Sequence, residues 1–148
     1  MRIGALEVGE PLEDLETMTV GVFMHGINKS AVLDPGAMVC VMHPTTYNQI
    51  PLCQRPKLQP LTRPLQGASG HLVQPEGYAS FCLEFKEGIC LRQQIVVADI
   101  DTSLLLGLNF FRKQGVEWNF EDATMIINGT VNRGEVRKTE GPKVWGGY

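Results

Sequence analysis

Short runs with a two-residue period commit this chain to a β architecture. Met18, Val20, Val22 and Met24 alternate with Thr19, Gly21, Phe23 and His25, the spacing that sends successive side chains to opposite faces of a strand. Ala79, Phe81, Leu83 and Phe85 repeat it against Ser80, Cys82, Glu84 and Lys86. A turn over residues 26–29 leads to a second strand at 30–33, and residues 37–42 continue extended beyond Asp34-Pro35-Gly36. Residues 43–50 have room for one helical turn, because Pro44 suits a first helical position. Pro51, Pro56, Pro60 and Pro64 then exclude a long helix.

The remaining segments agree. Gln66-Gly67-Ala68-Ser69-Gly70 is small and flexible, as a hairpin tip would be, and after Glu87-Gly88 a strand runs through Ile95, Val96 and Val97 to Ala98. The apolar run Leu104-Leu105-Leu106-Gly107 suits a strand buried on both faces. Asn109 is placed to cap a short helix over 110–114, ended by Gly115. Residues 116–120 and 124–127 form a last hairpin about Glu121-Asp122, with Trp118 and Phe120 in the core. Roughly eight short strands and one or two short helices make an all-β, barrel-like domain. Residues 1–16 are acidic and turn-rich and are expected to form a leader or arm. Residues 17–128 are expected to form the domain, and the aperiodic 129–148 a tail. A length of 148 residues suits one such domain.

Charge and cysteine usage narrow the function. A net charge of −3 without a Lys/Arg stripe does not indicate a nucleic-acid surface. No apolar run approaches the ~18 residues of a membrane helix, and no basic-then-apolar signal opens the sequence. The expected setting is therefore intracellular, in the cytoplasm. Cys40, Cys53, Cys82 and Cys90 form no C-x-x-C pair, and His25, His43 and His71 are scattered. Zinc-ligand spacing is absent, no metal or cofactor is expected, and the cysteines read as reduced thiols in sheets. The sequons at Asn28 and Asn128 read as chance matches. A Gly-x-Ser-x-Gly nucleophile elbow would need glycine where His71 stands.

Four segments carry a resemblance in their order and spacing. Ala31-Val32-Leu33-Asp34-Pro35-Gly36-Ala37 resembles the apolar-apolar-Asp-Thr/Ser-Gly-Ala loop of retropepsins, especially proteases of Gypsy-type retroelements. Leu65 to Gly70 is similar to the start of that family's flap. Gln94 to Ile100 is similar to the strand before its final motif. Leu105-Leu106-Gly107-Leu108-Asn109-Phe110-Phe111 is similar to its apolar-apolar-Gly turn into a C-terminal helix. Alone, Asp-Pro-Gly is an ordinary β-turn sequence; the flanking and downstream segments favour the family loop.

The resemblance implies a closed acid-protease barrel and an aspartic endopeptidase. Its extended peptide or polyprotein substrate would lie beneath the flap, over Gly36, Ala37, Gly67, Ala68, Ser69 and Gly70. Two carboxylates facing each other across a water cannot both ionise, so the pair shares one proton. One then activates the water while the other polarises the scissile carbonyl. Asp34 stands in such a setting; Asp14, Asp99, Asp101 and Asp122 lack the following Thr/Ser-Gly. A complete dyad therefore implies a homodimer with Asp34 from each chain, its loop supported by Pro35, Leu106 and Gly107. Pro35 departs from the family: the Thr or Ser expected there bonds across the dimer axis, and proline has neither hydroxyl nor N–H. The alternative is a non-catalytic module of the same fold that dimerises or binds peptide.

Overall fold

The computed structural model describes residues 15–67, 70–119, 121–139 and 145–146. In chain order the elements are β1 (Leu15–Met24), β2 (Ile27–Leu33), β3 (Val41–Met42), α1 (Pro44–Gln49), β4 (Leu65–Gly67), β5 (Leu72–Val73), β6 (Gly77–Glu84) and β7 (Cys90–Val97). They continue as β8 (Leu104–Leu106), α2 (Leu108–Gln114), β9 (Glu117–Asn119), β10 (Thr124–Ile127), β11 (Thr130–Arg133), β12 (Glu135–Thr139) and β13 (Trp145–Gly146). Six strands close a barrel in the order β1-β2-β8-β3-β7-β6, and the ring shuts where Phe23 of β1 pairs with Glu84 of β6.

The alternation places the core as its period requires. Met18, Val20, Val22 and Met24 are buried, and Phe23 on the opposite face is exposed. Ala79, Phe81, Leu83 and Phe85 line the same core with Leu33, Met42, Ile95, Leu104 and Leu106. Helix α2 seals one side, with Phe110 against Phe85 and Phe111 against Trp118 at ring separations of 5.9 and 4.4 Å. A fully buried side chain such as Phe110 contributes about 1.5–3 kcal/mol.

Several local expectations need correction. The first hairpin turns at His25-Gly26, earlier than 26–29, since both residues have positive φ (43° and 89°). That pairing suits a two-residue hairpin turn, which follows the strand twist. Burial, followed by the charge of Arg92, lowers the His25 pKa below its usual value. Its Nε2 accepts the Cys82 N–H at 3.1 Å, helping to close the β1–β6 seam. Helix α2 starts two residues early, at Leu108, and its N-cap position is Gly107, not Asn109. The extended stretch expected over 37–42 shrinks to Val41–Met42. Cys82 and Cys90 are joined by a disulfide rather than reduced, because the turn at 86–88 brings β6 and β7 alongside. Phe120 lies outside the described residues. The aperiodic stretch after Gly129 contains β11 and β12, and β12 lies antiparallel on β1 with Leu15 opposite Thr139.

Candidate active site

The site is built where two strands end side by side. β2 and β8 run parallel, pairing Val32 with Leu105 and Leu33 with Leu106, and β8 also pairs antiparallel with β3. Chain leaving β2 must therefore loop out before it re-enters the sheet, and Asp34 is the first residue of that loop. Its N–H donates to the Leu106 C=O at 2.9 Å, so the loop base continues the ladder. Its C=O accepts the Ala37 N–H at 3.0 Å, which closes a turn with Pro35 at the position where a fixed φ helps. The Gly36 N–H donates to Asp34 Oδ1 at 2.9 Å, a local side-chain turn that orients the carboxylate. Asp34 is 1% exposed and is the only buried carboxylate among the described residues.

Gly107 lets the second wall approach. A Cβ there would stand 2.5 Å from the Val39 C=O oxygen and 2.8 Å from that of Ala37, distances at which backbone would have to move. With hydrogen in that place, the Leu108 N–H reaches the Ala37 C=O at 2.7 Å and the Asn109 N–H reaches the Met38 C=O at 3.2 Å. These bonds draw residues 37–38 out of the sheet and explain the short β3. Below the loop, Cys40 Sγ donates to Asn109 Oδ1 at 3.1 Å. Burial pushes its thiol up to about 12, against smaller lowering contributions from the Gly107 and Phe110 backbone, so it stays a protonated donor. Sequence reasoning missed this tie, because its two ends lie far apart in the chain.

The base of the β4–β5 hairpin packs against the end of this loop. Leu65 is buried in a cluster with Ala37, Val41, Ala98, Ile100 and Leu105, and Val73 packs against it. Gly67 donates to the His71 C=O at 2.9 Å and accepts from the Gly70 N–H at 3.0 Å, with Gly70 at φ 83°. Thus the structure brings Asp34, Pro35, Gly36 and Ala37 together with Leu106 and Gly107, and seats the base of the hairpin on Ala37. Ala68 and Ser69 at the hairpin tip lie outside the described residues.

Elsewhere, His43 Nε2 faces Asp99 Oδ1 at 3.1 Å, near Ser103. This is not a hydrolase triad. His43 Nδ1 accepts the Thr45 N–H at 3.0 Å, which leaves the ring proton on Nε2 facing Asp99 and no nitrogen to serve as base. Among the described residues no group of His, Cys, Asp and Glu is arranged to hold a metal ion. No helix among them is long and apolar enough to cross a membrane.

No known family profile matches this chain. No curated protein matches it in sequence. Solved structures do match. The retroviral protease-like domain of Ddi1 from Leishmania major is 13% identical, with a TM-score of 0.64 over 80% of this chain and 93% of that one. The EIAV protease complexed with the inhibitor HBY-793 is 20% identical, with a TM-score of 0.50 over 76% of this chain and 95% of that one. The shared feature is the fold: a closed, retropepsin-like β-barrel with two short helices.

Proposed function

We propose that this chain is an aspartic endopeptidase of the Gypsy retroelement type, which cleaves extended segments of a polyprotein as a homodimer. One observation carries the reading: a buried carboxylate, Asp34, is held by the Gly36 N–H in a loop braced by Gly107, and the base of the β4–β5 hairpin packs on Ala37 of that loop. Two such loops related by a two-fold axis would set the Asp34 carboxylates across one water. The ionised one takes the water's proton and the protonated one donates to the scissile carbonyl. Gly36, Ala37 and the hairpin residues Gly67, Ala68, Ser69 and Gly70 would line the groove that takes the extended peptide. We place the activity inside the cell, within or released from a larger polyprotein. The Cys82–Cys90 bond is the observation against that compartment.

The test is cleavage of extended peptides across pH. Because the carboxylate pair must carry one proton, the rate should peak in mild acid and fall on both sides. A rate that climbs steadily to pH 9 would contradict the shared-proton mechanism.

Pro35 favours a second reading, a non-catalytic dimerisation or peptide-binding module. Proline suits its turn but offers no group to bond across a dimer axis. We expect Pro35→Thr to strengthen dimerisation. Each restored bond contributes about 0.5–1.5 kcal/mol and symmetry doubles it, so the dissociation constant should fall about 5- to 150-fold. Monomer stability should drop by about 0.4–1 kcal/mol as unfolded-state entropy rises. Sedimentation equilibrium reads the first effect, and denaturant titration of dilute protein reads the second. Unchanged dimerisation, with the variant inert toward peptide libraries, would favour the binding module.

A further inference from the structure

The outer edge of β4 carries its own occupant. Gly67 turns its N–H to His71 and its C=O to Gly70, both within the hairpin. Backbone polar groups alternate sides along a strand, so the N–H and C=O of Gln66 point to the opposite edge. There β13 lies antiparallel, with Gly146 opposite Gln66 and Trp145 opposite Gly67. A strand edge of this kind is where extended peptides add to a sheet, and Leu65 and Val73 seat this one on the cluster that includes Ala37.

The geometry points to the segment at Trp145–Gly146 as an intramolecular ligand of the β4 edge, competing there with any extended peptide the hairpin takes. Occupancy stands on the strand register; the competition rests on the peptidase reading above. The attachment makes the segment a strong competitor. Thr139 is anchored on β1 opposite Leu15, and residues 140–144 are the only link from there to β13. A short tether of this kind holds its end near the edge at an effective concentration on the order of millimolar.

The test uses the full chain and one substitution. Gly146→Pro removes the N–H that faces the Gln66 C=O, whereas Gly146→Ala keeps it. Hydrogen exchange at the Gln66 amide should be slow in the parent and in Gly146→Ala, and faster by about tenfold or more in Gly146→Pro. Equal exchange in the parent and Gly146→Pro would overturn the occupancy. A statine peptide should bind Gly146→Pro about tenfold more tightly than the parent, since its competitor is gone. Equal, measurable binding to both proteins would overturn the competition. Faster Gln66 exchange with no statine binding to either protein would leave the occupancy standing and sink the peptidase reading instead.

Discussion

Replacing Asp34 with asparagine should abolish peptide cleavage while leaving the barrel folded. The amide keeps an Oδ1 to accept the Gly36 N–H, so the turn that now spans 2.9 Å retains its bond. It cannot take a proton from water. Loss of a general base costs about 10²- to 10⁴-fold in rate, and in a symmetric pair the substitution removes both carboxylates at once. Initial rates on a cleavable peptide, measured beside the denaturation midpoint, give the answer. Cleavage within a few-fold of the parent would remove Asp34 from the mechanism.

A large structural effect is expected from Gly107→Ala. The added methyl would meet the Val39 and Ala37 carbonyl oxygens at 2.5 and 2.8 Å. Both belong to backbone, so no side chain can swing aside. Overpacking of this kind costs about 1–3 kcal/mol. Relief requires the Asp34 loop and the start of α2 to separate, stretching the 2.7 Å bond from Leu108 to Ala37. Denaturant titration should show a lower midpoint at an unchanged m-value, together with a fall in any cleavage rate. An unchanged midpoint would mean that the two walls do not pack as closely as described.

What could be read from the sequence follows from what each segment does in the barrel. β1 and β6 each turn one face to the core, so burial prints a two-residue period directly into Met18–Met24 and Ala79–Phe85. The all-apolar Leu104–Leu106 is legible for the opposite reason, since every one of its side chains is buried. β11 leaves no such trace. Its inward residue is Asn132, whose Oδ1 accepts the Lys86 N–H at 3.1 Å, so a polar side chain does what an apolar one does elsewhere. β12 is held by its register on β1, and a backbone ladder writes no pattern into side chains.

The site was legible in part. Asp34 stands out because a carboxylate follows the apolar run Ala31-Val32-Leu33, and Gly107 because its place beside two carbonyl oxygens leaves no room for a side chain. The cap at Gly107 was hidden because Asn109, the residue that looks like a cap, is engaged by Cys40 instead. The disulfide was hidden because the C-x7-C spacing of Cys82 and Cys90 carries no signature until their strands are known to pair. The contact of β13 with the hairpin joins segments that share no periodicity at all.

Calorimetric titration with a statine peptide tests the central claim most directly, because it reports both the class of site and the number of chains that build it. A dyad assembled from two copies of Asp34 binds one inhibitor per two chains, and Asp34→Asn should abolish that binding. One inhibitor per chain, or equal binding by Asp34→Asn, would contradict a shared aspartic site and leave the barrel as a peptide-binding module.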